Sequence, residues 1–180
     1  MKMRFGNRRN EEKASQSLTL STMRVGCLVD YDLKTWEVTG FGTFDYQGEE
    51  TVEWELRSEG AVHFLERSDD EGEIYWSFTR EIGIDELEGD IAAIIRAEGE
   101  PPEKVSFAGQ TYTSEGSETG LYRENGEGQG EEFVTWSFAG AEDRVLYINH
   151  WDPGELSVYV GSYVDEYQFT DILPENSEGG

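Results

Sequence analysis

The stretch His150-Trp151-Asp152-Pro153-Gly154 has the residue types and spacing that best suit a binding site. An imidazole and a carboxylate two residues apart could each offer a ligand atom, and the indole between them could form a pocket wall. The stretch is also ordinary turn chemistry, because Pro fixes φ and Gly accepts a positive φ. We therefore predict His150, Trp151 and Asp152 as ligand-binding residues, and no metal site, because no third ligand accompanies them.

Three other groups have contexts that favour structural roles. Cys27 alternates in phase with Val25 and Val29, as a small buried hydrophobe does, and it has no second cysteine to pair with. The acids of Asp69-Asp70-Glu71-Gly72 lack the spacing of a calcium loop and predict a hairpin turn. The Gly-rich segment 126–130 has no lysine or helix N-terminus that would bind phosphate. We expect no catalytic residue and no cofactor, and we predict that the protein is not an enzyme.

The composition is strongly acidic. Thirty-nine acidic residues against fourteen basic ones give a formal charge of −25, which would repel nucleic-acid phosphates. Residues 1–24 carry a net +4 and residues 25–180 a net −29. We expect a protein as the partner, no direct contact with nucleic acid, and weak contact of the basic tail with a membrane surface. So many acids make many possible carboxylate pairs, and no pair stands out as an acid–base couple.

The hydrophobic pattern favours a cytoplasmic location. No apolar run of signal-peptide length follows the basic N-terminal residues, and no run of about 18 apolar residues occurs anywhere. A single cysteine fits a reducing compartment. We therefore expect a soluble cytoplasmic protein, whose oligomeric state the sequence does not specify.

A repeated heptad indicates how the strands are organised. Gly48-Glu49-Glu50-Thr51-Val52-Glu53-Trp54 returns as Gly130-Glu131-Glu132-Phe133-Val134-Thr135-Trp136, with five of seven positions identical at an offset of 82. In a strand, Val52 and Trp54 lie on one face and Glu53 on the other. We predict that Trp54 and Trp136 are buried in the core and that the acids of the alternate face contact solvent.

The fold predicted from this repeat is all-β, with two tandem similar antiparallel units packed as barrels or as one sandwich and joined by a short helix. The first strand would include Val25 and Cys27, and the last would run within Tyr163–Leu173. The predicted segments are a flexible basic tail (1–17), a first β unit (18–84), a helical connection (85–102), a second β unit (103–173) and a flexible tail (174–180).

The connecting helix is predicted over residues 86–97. Leu87, Ile91, Ile94 and Ile95 have helical spacing, Asp85 with Glu88 resembles a capping box, and Gly99 would end the helix. A buried strand-like connection is the alternative for so short an apolar run.

Short motifs spread along the chain resemble one bacterial family. The motifs are Val25-Gly26-x-x-Val29-x-Tyr31, Trp36-x-Val38-x-Gly40, Trp54-Glu55 followed by a hairpin, Gly109-Gln110-x-Tyr112, and an aromatic-rich closing strand after Gly161. Over about residues 23–173 they resemble the DUF4178 family, a domain of unknown function. The chain departs from it at His63-Phe64-Leu65, where the family often has Trp-Leu. The resemblance supplies no catalytic residues. It implies an accessory role in a membrane-stress or polyamine-related system.

These observations favour a non-catalytic cytoplasmic binding or adaptor protein. One alternative is a small-ligand-binding protein or enzyme with a pocket between the two β units. Another is an acidic mimic of nucleic acid that occupies a basic site on another protein.

Overall fold

A computed structural model describes residues 18–175 of the chain. These residues are mostly β, with one short α-helix. The strands are β1 (Leu28–Tyr31), β2 (Lys34–Tyr46), β3 (Glu49–Ser58), β4 (Ala61–Asp70), β5 (Glu73–Ile82), β6 (Lys104–Phe107), β7 (Gln110–Glu124), β8 (Glu131–Ala139), β9 (Arg144–Trp151), β10 (Glu155–Val164) and β11 (Thr170–Leu173). The α-helix, α1, spans Ile91–Glu98, and three 3₁₀ turns span Leu20–Thr22, Ile84–Glu86 and Glu166–Gln168.

All eleven strands belong to one antiparallel sheet with the order β11-β1-β2-β3-β4-β5-β10-β9-β8-β7-β6. A further pairing of β2 with β7 joins the sheet to itself, so that β2–β5 and β7–β10 make a partial ring. The pairing involves only residues 42–45 and 121–124. A Cβ at Gly42 would collide with the end of the Tyr122 side chain, so the glycine leaves room for that ring where the two strands meet.

The two runs of strands have matching connections. Hairpins link β2 to β5 in one run and β7 to β10 in the other, and the register of the first pair in each run shifts at Val38/Gly40 and at Ser114/Gly116. Trp54 and Trp136, from the repeated heptad, are both buried, as predicted. The sheet passes through both predicted units without a break, because β5 pairs with β10 along seven residues.

The apolar faces of the strands lie outside the ring and are covered by other segments. In the first half, Trp54, Leu56 and Leu65 pack under Leu20 and Met23, and the Trp54 indole N–H donates to the Met23 carbonyl at 3.1 Å. In the second half, a separate cluster of apolar side chains from β8, β9 and β10 packs under α1. The hydrophobic core is therefore divided into two clusters on the outer surface of the ring.

The helix is shorter than predicted and begins later. Its N-cap is Asp90, whose carboxylate accepts from the Ala93 N–H at 3.0 Å, and not Asp85, which lies in a 3₁₀ turn. Gly99 ends the helix with φ of 85°, as predicted. Ile91 and Ile95 are the buried residues that attach it to the sheet.

The first and last strands also differ from the predictions. β1 begins at Leu28 rather than at Val25, which is 49% exposed because it lies in the turn before the strand. The predicted last strand is divided: β10 ends at Val164, a 3₁₀ turn follows, and β11 begins at Thr170 and pairs with β1. The predicted tail 1–17 and residues 176–180 lie outside the described residues. No helix within residues 18–175 is long and apolar enough to cross a membrane.

Candidate functional site

The inner face of the ring is polar, in contrast to its outer face. On β8, β9 and β10 the residues that alternate with the buried apolar ones are mostly threonine, serine, asparagine and tyrosine. Thr51, Thr79, Thr135, Asn149 and Ser157 are each less than a tenth exposed. Buried positions of this kind are normally apolar in a strand, so the interior has a composition that packing does not require.

Thr51, Thr79, Thr135 and Asn149 line a cavity of about 330 Å³. Its volume is at the lower end of the range for small-ligand sites. Eight of the lining residues are acidic and none is basic; the acids are Glu49, Glu50, Glu53, Glu66, Asp69, Asp70, Glu115 and Glu118. The cavity is therefore a region of concentrated negative charge.

Glu53 and Glu66 lie deepest among these acids and directly face each other across the β3–β4 pair. Burial raises the pKa of the Glu66 carboxyl to about 7. Burial, and then the charge of Glu66, raises the pKa of Glu53 well above its usual range. Neither carboxylate forms an ion pair within residues 18–175. Like charges directly opposite across a strand pair destabilise a sheet, so each carboxyl is neutral or needs a cation.

Tyrosine side chains form much of the remaining wall. Tyr46, Tyr147, Tyr159 and Tyr163 line the cavity. Burial is the largest cause of the raised pKa of the Tyr46, Tyr147 and Tyr159 hydroxyls. These rings therefore stay neutral near pH 7 and present aromatic faces and hydroxyl groups to the interior.

Asn149 supplies a polar group without a partner. Its side chain is 6% exposed and lines the cavity, and its Oδ1 atom has no hydrogen-bond partner among the described residues. A buried carbonyl oxygen without a donor costs about 1–3 kcal/mol. The interior therefore holds a free acceptor as well as the two carboxyl groups.

One end of the ring is open. β2 ends at Tyr46, whereas β7 continues along β8, and over residues 115–119 no strand among the described residues pairs with the other edge of β7. Glu49 and Glu50 lie on one side of this opening, and Glu115 and Glu118 on the other. Their exposed carboxylates make the entrance acidic, which would raise the local concentration of cations.

An aromatic cluster lies beside the cavity, at the β2–β7 pairing. The Phe133 ring is 5.3 Å from the Phe44 ring, 5.7 Å from Tyr46 and 5.0 Å from Trp151, measured between centroids. Burial raises the pKa of the neighbouring Tyr122 hydroxyl to about 12. The cluster gives the interior an apolar boundary on this side.

The predicted binding residues His150, Trp151 and Asp152 line a different, more open cavity of 680 Å³. His150 and Trp151 are neighbours in β9, so they lie on opposite faces of the strand. The His150 ring stacks on Trp136 at 6.1 Å, whereas the Trp151 N–H donates to Ser157 Oγ at 2.8 Å. The His150 and Trp151 side chains thus both contact other side chains of the protein. The Asp152 side chain is exposed at the edge of this cavity.

The structure bears on two further predictions, for Cys27 and for the turn after Asp69. Cys27 is 3% exposed, as predicted, although it precedes β1. Asp69 accepts from the Gly72 N–H at 2.9 Å in the predicted hairpin turn. No group of three or more His, Cys, Asp or Glu side chains within residues 18–175 is arranged to hold a metal ion.

The interior acids were not predicted from the sequence. Glu53 and Glu66 look like solvent-facing residues of an acidic chain, and we expected Glu53 to contact solvent. The missed pattern was on the second half, where the alternate face of β8 to β10 carries Thr135, Ser137, Asn149 and other uncharged polar residues instead of lysine and glutamate. Small uncharged polar residues in that phase indicate an enclosed face.

Comparisons with known proteins give a family but no activity. A family model described as Domain of unknown function (DUF4178) matches residues 24–166, which confirms the predicted resemblance. An uncharacterized protein of Aquifex aeolicus (strain VF5) is 32% identical over 169 residues, covering 92% of this chain and 93% of its own length. No solved structure gives a significant match.

Proposed function

We propose that this chain, which belongs to the DUF4178 family of unknown function, is a non-catalytic protein that binds a small molecule inside the ring. The single observation that carries the proposal is the polar cavity inside the ring, which is open at one end. Its walls hold two facing carboxyl groups and an asparagine oxygen without a partner.

The cost of this interior supports a binding role. The two opposed carboxyls and the unpartnered Asn149 oxygen each lower the stability of the fold, whereas apolar side chains would raise it at the same positions. Groups that disfavour folding are commonly found at sites where a ligand compensates them. A ligand seated between the strands would supply the missing partners.

A blocking variant tests the proposal. Ser137 lines the cavity from β8, so Ser137→Phe places a ring inside it. Thr111→Phe introduces the same ring on an exposed part of β7 and is the matched control. A thermal-shift screen of metals, amines, carboxylates and sugars should give compounds that raise the melting temperature of the parent and the control but not of Ser137→Phe. If every compound that raises the melting temperature of the parent also raises that of Ser137→Phe, or if no compound raises either, the proposal is rejected.

We also infer that the two halves of the ring are copies of one ancestral unit. The offset-82 heptad, the matching hairpin order and the two register shifts support this inference. Expressing residues 18–84 alone tests the inference. If the halves are copies, two of these fragments should pair and form a dimer of defined mass. Aggregation of the fragment would count against the inference.

A second candidate is an adaptor role toward another protein. It is supported by a groove of 370 Å³ on the outer seam of β5 and β10, which contains Arg80 and Arg144 in an otherwise acidic protein. Such a groove suits a partner with an acidic segment. Cross-linked partners that are captured by the parent and lost with the double variant Arg80→Glu/Arg144→Glu would support it; equal capture by both would reject it. The cytoplasmic location and the accessory role implied by the family are part of the same proposal.

A further inference from the structure

We propose that the ligand of the ring is an organic ammonium cation, held by the Glu53 and Glu66 carboxylates and by the Asn149 side-chain oxygen. This inference rests on the proposed function and adds the chemical class of the ligand. Three independent features of the interior support it.

The first feature is the sign of the charge. All charged residues that line the cavity are acids, and they extend from the exposed entrance to the facing pair at the centre. A site for an anion or a zwitterion would need a positive group, and none lines the cavity. A cation that enters this field is attracted at the opening and more strongly inside, where less water screens the charges.

The second feature is the unpartnered acceptor. Asn149 Oδ1 is buried, belongs to β9 and is independent of the acids on β3 and β4. It requires a hydrogen-bond donor. A primary ammonium group has three N–H donors and no acceptor, so it can serve two carboxylates and one carbonyl oxygen together.

The third feature is the aromatic wall. Four tyrosines and Phe44 line the cavity, and aromatic faces attract cations while they exclude water. This argues for a cation with an aliphatic body rather than for a bare metal ion. The absence of a metal-holding group of side chains within residues 18–175 agrees with that choice.

Binding should release protons. The charged and titratable groups around Glu66 are Glu53 on β3, Tyr46 on β2, Glu118 on β7, Tyr147 on β9 and the tyrosines of β10. From β5 only uncharged residues face it, Ser77 directly opposite and Thr79 beside it. Burial keeps the pKa of Glu66 near 7, so a substantial share of this carboxyl is protonated at neutral pH. An ammonium cation favours the carboxylate, and the Glu66 proton then leaves to solvent.

The experiment is isothermal titration of the full chain at pH 7 and low salt with n-butylamine, n-butanol and butyrate. These probes share one carbon skeleton and differ in charge. We expect saturable one-site binding of the amine only, with net proton release seen as a dependence of the heat on the ionisation enthalpy of the buffer. Tetramethylammonium, which has no N–H donor, should bind at least several-fold more weakly than the amine.

Variants locate the binding. Glu53→Gln/Glu66→Gln and Asn149→Leu should each weaken amine binding by about ten-fold or more, because each removes hydrogen bonds to a charged donor. Glu66→Gln should also reduce the proton release. Glu100→Gln, an exposed acid between α1 and β6, controls for general attraction of amines to an acidic protein. Circular dichroism of each variant confirms that it is folded.

Outcomes separate the two proposals. If butanol or butyrate binds and Ser137→Phe abolishes that binding, the ring is a ligand site but the cation inference is wrong. If the amine binds equally to the parent, Glu53→Gln/Glu66→Gln and Glu100→Gln, the attraction is only to surface charge and the inference is again overturned. If Ser137→Phe abolishes the binding of no compound, whatever its charge, the proposed function fails as well.

Discussion

The same strands present apolar side chains on the outer face of the ring and polar side chains on its inner face. Outside, Trp54, Leu56 and Phe138 are almost completely buried under the N-terminal segment or the helix. Inside, the alternate residues of the same strands are acids, hydroxyls and an amide around a cavity. The outer clusters supply the hydrophobic stabilisation, which leaves the interior free to hold polar groups that lower stability.

This arrangement reverses the usual order of layers in a β protein. Closed sheets commonly bury apolar residues in the middle and expose polar ones. Here each outer face has its own cover, and the helix and the Leu20–Met23 segment take over the role of a second layer. Burial of one strand face therefore does not reveal which side of the sheet is the centre of the molecule.

The largest expected difference between the faces is in stability. Phe138 and Ser137 are neighbours in β8, with Phe138 in the outer cluster and Ser137 in the cavity wall. Phe138→Ala should lower the free energy of unfolding by about 3–5 kcal/mol, because it removes buried area and leaves a void. Ser137→Ala should change it by less than about 1 kcal/mol. Urea denaturation of both variants makes the comparison, and equal losses would mean that the interior also supports the fold.

The next largest effect is a pH dependence confined to the interior. The Glu66 pKa is about 7 in the folded protein and 4.5 for a glutamate in an unfolded chain, so the folded state binds more protons than the unfolded state between these values. Stability from this group is complete below pH 4.5 and is lost as the pH rises through 7. A full shift would correspond to about 3 kcal/mol, and contact with cavity water reduces our expectation to about 1–2 kcal/mol.

Glu66→Gln tests this dependence. The variant should match the parent near pH 4.5 and exceed its stability by that amount at about pH 8, as measured by denaturation across the range. Glu100→Gln should follow the parent throughout. A Glu66→Gln variant that is less stable than the parent at every pH would show that the carboxylate has a stabilising partner.

The sequence predicts which residues of a strand share a face, but it does not predict that the acidic face lies inside a ring. Alternation correctly separated Val52 and Trp54 from Glu53, because side chains take opposite faces of any strand. Whether the acidic face meets bulk solvent depends on the pairing of residues 42–45 with residues 121–124, far apart in the chain. No local pattern specifies that pairing, so Glu53 and Glu66 had no visible relation to Asn149. The prediction of His150, Trp151 and Asp152 as binding residues rested on residue types alone, and it stays a prediction.

A smaller effect should distinguish the two covers. Asp90 caps α1, which covers only the second half of the ring. Asp90→Ala should cost about 1 kcal/mol, because the Ala93 N–H loses its acceptor. Hydrogen exchange should increase in α1 and along β8 to β10 rather than under the N-terminal segment, and Asp90→Ser, which keeps a capping oxygen, should restore the parent pattern. Equal increases in both halves would mean that the covers are not independent.

The smallest expected effect concerns the closure that makes one face an interior. Arg123 Nη1 on β7 lies 3.1 Å from Asp45 Oδ2 on β2, and this contact, after the Gly48 N–H, holds the pKa of Asp45 below its usual value. Ion pairs in contact with water contribute little, so Arg123→Ala should reduce global stability less than Asp90→Ala does. Amide exchange should nevertheless rise locally in residues 42–45 and 121–124. Arg57→Ala, which removes the exposed pair with Glu55, is the control and should leave those amides unchanged. If Arg123→Ala also leaves them unchanged, the backbone pairing and the packing of Tyr122 on Gly42 suffice to close the ring, and the ion pair has no part in enclosing the acids.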